Sequence, residues 1–358
     1  MKPFAYALVT AACCASIPLA AQNAAPTMNF DSAANVLTLP DDIYLGEVGG
    51  VATNSRGDIF VYTRTGHPTL STATARPFAH GGARLFQFDR TGKFTREIGQ
   101  GVYGFLFAAQ VRVDPQDNLW VVDELSGMVM KFDPQGRVAM LLGRKPEAVN
   151  TLQRAGGPGG GGAEGGGGGR GGRAPGAGAE QDVFNRPTDV AWDAQGNIFV
   201  ADGRGNARIA KFTKDGVFVK SWGQKGTAQG QFADVDSIVV DARGNVYAAD
   251  AGNGRIQVFD NNGTYQREIA NVGNAQAMCI TPGANQVMFV SNSNPPNDLD
   301  KAGEIYKMRL DGTMVGKFGR AGRLLKEFGA VSAIDCRSET TLYVAEVNNF
   351  RVQKLTMR

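Results

Sequence analysis

Short apolar runs rich in Val, Ile, Phe and Ala recur along the chain, and turns of Asp, Asn and Gly separate them. Residues 193–202, Asp-Ala-Gln-Gly-Asn followed by Ile-Phe-Val-Ala-Asp, return at residues 241–250 as Asp-Ala-Arg-Gly-Asn followed by Val-Tyr-Ala-Ala-Asp. Earlier copies lie at 114–123 and 54–62, and two degenerate ones surround 286–292 and 341–346. Self-similarity at a fixed period is the signature of a repeat architecture. Each copy predicts an apolar strand, a turn whose residues tolerate positive φ, and a second strand. A third strand follows, such as 208–212 or 255–259, and after Asp215-Gly216 or Asn262-Gly263 a fourth. Four antiparallel strands make one propeller blade, and a lone blade cannot bury both of its apolar faces. Six copies therefore predict an all-β, six-bladed β-propeller of residues 35–358.

The last copy runs out near Leu355 without a fourth strand, while a strand-like segment at 35–39 precedes the first copy. The N-terminal strand is thus expected to complete blade six, with residues 22–34 flexible. Two insertions break the period. One spans about 64–82 within blade one; the other, 146–182, joins blades two and three. The centre of the second is mostly Gly with Pro, Ala and Arg, a composition that cannot offset its own chain entropy and predicts a disordered linker.

Lys2 followed by an apolar stretch to Ala15 and small residues to Ala21 predicts a signal peptide over 1–21, and hence an exported protein, periplasmic or secreted. No later apolar run approaches the ~18 residues of a membrane span. The 37 Lys and Arg are interspersed with 34 Asp and Glu for a net charge of +3, which leaves no field suited to nucleic acid. Beyond the signal segment only Cys279 and Cys336 remain, open to one disulfide or to two buried thiols.

The segment Phe184-Asn185-Arg186-Pro187-Thr188-Asp189, with Asp202-Gly203-Arg204-Gly205-Asn206-Ala207-Arg208 behind it, resembles an NHL repeat. Over residues 43–356 the chain is similar to the lyase domain of peptidylglycine α-amidating enzymes. That resemblance implies six blades, a central zinc held by three histidines, a catalytic arginine and tyrosine, and a calcium site. Arg64 matches the arginine. The histidine positions fall on Gly127, Asp236 and Ser332, the tyrosine on Arg204 and the calcium-binding acid on Ala333. The only histidines, His67 and His80, lie in the blade-one insertion. No metal site and no cofactor are therefore predicted, with zinc and calcium left open.

Propeller ligand sites lie at one mouth of the central channel, on loops that enter the innermost strands. Aligned repeats bring Gly49, Ala109, Thr188, Asp236, Gln276 and Ser332 there, with Arg64 and Arg204 on nearby loops. Guanidinium groups beside neutral polar side chains suit an anionic ligand. The ligand-binding candidates are accordingly Arg64, Thr188, Arg204, Asp236, Gln276 and Ser332. The groups Asp202/Asn206/Arg208, Asp250/Asn253/Arg255 and Glu346/Asn348/Arg351 recur from blade to blade and are expected to hold structure rather than to catalyse. Two functions remain. One is a binding or scaffold protein for a small anionic ligand, peptide, glycan or protein; the other is a lyase or hydrolase with a rebuilt site.

Overall fold

The computed structural model describes residues 25–65, 69–71, 77–79, 82–143, 183–295 and 298–358. The expected signal peptide, both histidines and the glycine-rich centre of the second insertion lie outside them. Six four-stranded antiparallel sheets follow one another along the chain, with a short two-stranded hairpin, Thr69–Ser71 with Pro77–Ala79, inside blade one. From blade one to blade six the innermost strands are Glu47–Thr53, Ala108–Val113, Asp189–Trp192, Val235–Val240, Met278–Ile280 and Val331–Asp335.

The repeated Asp explains the first turn of each blade. Asp114, Asp193 and Asp241 each accept two backbone N–H bonds through Oδ1, from Gln116 and Asn118, Gln195 and Asn197, and Arg243 and Asn245. Asn54 does the same for Arg56 and Asp58. The turn then needs one left-handed residue, Gly57, Gly196 or Gly244. Blade two carries Asp117 there at φ 61°, an αL conformation that Asp tolerates better than most residues.

Apolar side chains form six clusters, one between each pair of neighbouring blades. Between blades one and two, for example, Phe60, Tyr62 and Leu85 meet Val111, Val121 and Phe132. The second strands of blades two, three and four are buried throughout, whereas the outermost strands Phe218–Trp222 and Tyr265–Ile269 bury only their last residue fully. Residues 35–39 do not close the ring. Phe30–Ala33 pairs with Arg351–Met357 as the fourth strand of blade six, so part of the segment expected to be flexible is ordered. Phe30 is buried against Phe318 and Phe328. Residues 35–39 cross the edge of blade one instead, where the Thr38 N–H donates to the Gly92 carbonyl and Val36, Leu37 and Leu39 join the cluster between blades six and one.

The two cysteines form a disulfide, with 6.0 Å between Cα atoms, that ties the inner strands of blades five and six. It closes a loop 57 residues apart in sequence, for which chain-entropy arguments give about 4 kcal/mol.

Removing residues 25–34 should lower the melting temperature sharply, because it strips a buried aromatic and exposes the Arg351–Met357 edge. Phe30→Ala alone should cost about 3–5 kcal/mol in chemical denaturation. A truncated chain as stable as its parent would assign closure elsewhere. Reduction of the disulfide at neutral pH should leave the circular dichroism spectrum unchanged and lower the urea midpoint.

Candidate functional site at the channel mouth

The six innermost strands all start at one face, and there four of them carry a β-bulge. The pairing register shifts between Val48 and Gly50, Ala108 and Gln110, Val235 and Ser237, and Val331 and Ala333, which leaves Gly49, Ala109, Asp236 and Ser332 as the extra residues. Bulges re-aim side chains and are common beside functional sites. Thr188 and Gln276 precede the inner strands of blades three and five. Glycine at 49 and 50 lets blade one approach blade two, since a Cβ on either would fall within 2.5 Å of backbone atoms of Ala108 or Val111.

A cavity of about 260 Å³ opens at this face, and all six sequence candidates line it: Arg64, Thr188, Arg204, Asp236, Gln276 and Ser332. Two of them are committed to the ring. Thr188 Oγ1 donates to the Val235 carbonyl at 2.5 Å, and Ser332 Oγ to that of Val48 at 2.6 Å. Each hydroxyl thus holds the next blade, as Ser293 Oγ does for Val331.

The arginines do not stand free. Arg64 lies over the Phe107 ring, pairs with Glu47 at 2.8 Å and donates from Nε to the Ala108 carbonyl. Arg204 bridges Asp236 at 2.9 Å and Glu124 at 3.5 Å. Glu124 also accepts from Arg186. The mouth is therefore balanced in charge, with Glu47 and Glu124 adding two carboxylates the sequence reading missed. Glu124 was legible in principle: it follows Asp123 where blades three, four and six place Gly203, Ala251 and Val347.

Asp236 is the least settled member. Its Oδ1 is buried and lies close to Arg204 Nη2, yet no donor points at it with hydrogen-bond geometry. Burial pushes its pKa up to about 6; Arg204 pulls it down, and Asp234, Glu124 and Asp250 add to the rise. Asp123, beneath the mouth, is likewise pushed up to about 6 by burial, against hydrogen bonds from Ser126, Tyr62 and Phe107.

The residues present do not fit the relatives' zinc. Asp236 offers one carboxylate and Ser332 a hydroxyl already used, while Gly127 has no side chain and does not line the mouth. Among the described residues no three His, Cys, Asp or Glu side chains group as metal ligands. The recurrent acid–amide–arginine groups are structural, as Asp202 binds Asn206 and Arg208, and Asp250 binds Asn253 and Arg255. In blade six the amide is Asn349, not Asn348. Asn349 donates to Glu346, whereas Asn348 lines the mouth.

Residues 184–212 and 232–259 match the NHL repeat, and solved structures agree with the fold. A streptogramin B lyase superposes with a TM-score of 0.54 at 12% identity, covering 92% of this chain and 98% of that one. A Bacteroides thetaiotaomicron protein of unknown function superposes at 0.59 and 11%, covering 92% and 76%. This chain is thus a six-bladed propeller with NHL repeats in blades three and four.

Its sequence is homologous to the amidating lyases. It is 27% identical over 351 residues to peptidyl-alpha-hydroxyglycine alpha-amidating lyase 1 of Drosophila melanogaster, covering 89% of this chain and 58% of the fly protein. It is 25% identical over 337 residues to the peptidylglycine alpha-amidating monooxygenase of Rattus norvegicus, covering 88% of this chain and 31% of the rat protein. NHL repeat-containing protein 3 of Mus musculus is 35% identical over 154 residues, covering 40% of this chain and 36% of its own.

A carboxyl whose folded pKa is raised binds its proton more tightly when folded, so its stabilising effect is complete below the unfolded pKa and is lost as pH rises through the folded one. Asp236 and Asp123 should therefore make stability fall between about pH 4 and 6. Asp236→Asn should flatten that decline in a series of thermal melts, and an unchanged slope would mean that Arg204 fully compensates the ionised carboxylate.

Proposed function

We propose that this chain is an exported binding propeller whose mouth takes the anionic group of a small ligand or peptide between Arg64 and Arg204. The observation that carries the reading is the donor set. Two guanidinium groups from blades one and three border one cavity, and the positions that match the relatives' metal ligands carry glycine, a carboxylate and a hydroxyl. Arg204 stands 3.5 Å from Glu124 and meets Asp236 without hydrogen-bond geometry, so a ligand carboxylate or phosphate can take over its fork, most readily below about pH 6 where Asp236 is protonated. Export is supported by the apolar N-terminal segment and by the disulfide, a bond that persists in oxidising compartments.

Homology to the amidating lyases and the matching Arg64 favour the second reading, a lyase with a rebuilt site. The two separate by experiment. Titration calorimetry of the mature protein with N-acetylglycine, and with its amide as control, should detect the carboxylate form alone. Charged hydrogen bonds contribute about 1.5–3 kcal/mol each, so Arg64→Ala with Arg204→Ala should weaken binding by about two to four powers of ten, with the fold verified by circular dichroism. Equal binding of acid and amide, or unchanged affinity in the double variant, would remove the anion site. Stoichiometric zinc together with turnover of a peptidyl α-hydroxyglycine would assign the lyase.

A further inference from the structure

At the opposite end of the channel, where the inner strands finish, a second cavity of about 320 Å³ is bounded by all six blades. One tier of residues runs around it. Ala52, Arg112, Ala191, Val239, Cys279 and Asp335 each pair across the sheet with an aromatic residue of the second strand: Phe60, Trp120, Phe199, Tyr247, Phe289 and Tyr343. Four members of the tier are small or apolar. Two are charged, and they stand on blades two and six with Ala52 of blade one between them. The wall beyond is apolar, with Val51, Val113, Val190, Ile238, Val240 and Ile280.

Arg112 lines this cavity and not the mouth. Its Nε and Nη2 grip the buried Asp189 at 3.0 and 2.6 Å, and Nη2 also reaches Ser237 and the Met278 carbonyl. Three blades are thereby tied to a fourth. The remaining nitrogen, Nη1, has no protein acceptor among the described residues, although the side chain is only 13% exposed. Asp335 accepts the Thr53 hydroxyl, and no cation among the described residues lies within ion-pair distance of it. Arg337, at the rim, donates to the Thr53 and Val113 carbonyls. The charges of Arg112 and Asp189 cancel, and those of Asp335 and Arg337 balance across the cavity. A net charge on a ligand would meet no complement here, yet Arg112 Nη1 and the second Asp335 oxygen have no hydrogen-bond partner among the described residues, and neither is sealed from solvent.

From this geometry we infer a second binding site, for a small, neutral, largely apolar molecule whose head group both accepts and donates a hydrogen bond, as a carboxamide or hydroxyl does. The head accepts from Arg112 Nη1 and donates to Asp335, while the body fills the apolar wall. Ligand pockets commonly combine such walls with a few placed polar groups, and this volume lies at the lower end of their range. The site is independent of the mouth and of the function proposed for it.

Benzamide and phenol serve as probes against the intact mature protein, with toluene, benzoate and benzylamine as controls. Saturable binding of at least one probe is expected by ¹H–¹⁵N chemical-shift titration, with shifts at Val51, Val113, Val190 and Ile280 rather than at Thr188 and Ser332. Loss of a head-group hydrogen bond to charged partners corresponds to about tenfold, so each control should bind at least that much more weakly. Ile280→Trp should block the site, and Arg204→Ala should leave it unchanged. If Ile280→Trp fails to fold, the shift map of the unmodified protein decides the location. No saturation by either probe at millimolar concentration, shifts confined to the mouth, or benzoate or benzylamine binding as well as benzamide would overturn the assignment.

Discussion

A four-stranded sheet with two apolar faces cannot exist alone in water, and every other feature of this protein follows from how six such sheets cover one another. The six apolar clusters are the contacts by which they do so, and each needs both of its blades. The requirement reaches into the channel. There Thr188, Ser293 and Ser332 hydroxyls pass hydrogen bonds from blade to blade, and Arg112 ties blade two to blades three, four and five. Polar groups that might have formed a site are in part the fastenings of the ring. What is left for function is the set of groups those fastenings do not use.

The blade count and the mouth positions were legible because both follow from a period. Aligning Asp114, Asp193 and Asp241 fixes the turn of blades two, three and four, and counting back from it reaches Asp236 and its equivalents. A bulge at the same place in four inner strands keeps that count meaningful, and three of the four extra residues, Ala109, Asp236 and Ser332, line the mouth. Pairing was not legible. Whether Arg204 would meet Asp236 or a ligand depends on Glu124, whose ion pairs appear only when blade two is set beside blade three. The choice between Asn348 and Asn349 turns on one residue of loop geometry. The closing strand was misplaced for a related reason: residues 30–33 and 35–39 are both short and partly apolar, and period alone cannot rank them.

The two ends of the channel differ in a way that repeat arithmetic also explains in hindsight. The mouth tier mixes hydroxyl, amide, carboxylate and glycine, whereas the far tier is apolar but for Arg112 and Asp335. A charge at one repeat position where the sister blades place alanine, valine or cysteine is a departure from pattern, and it can be found without coordinates. The same logic applies to Glu124.

The strand that finishes blade six comes from the beginning of the chain, and Asp31 meets Arg358 across 327 positions of sequence. During synthesis the first blade emerges early, but its partner on the sixth side exists only after the ribosome has passed Met357. Every nascent intermediate therefore presents an open seam on each flank. The non-local pairing that closes the ring is thus deferred until all six blades have been made.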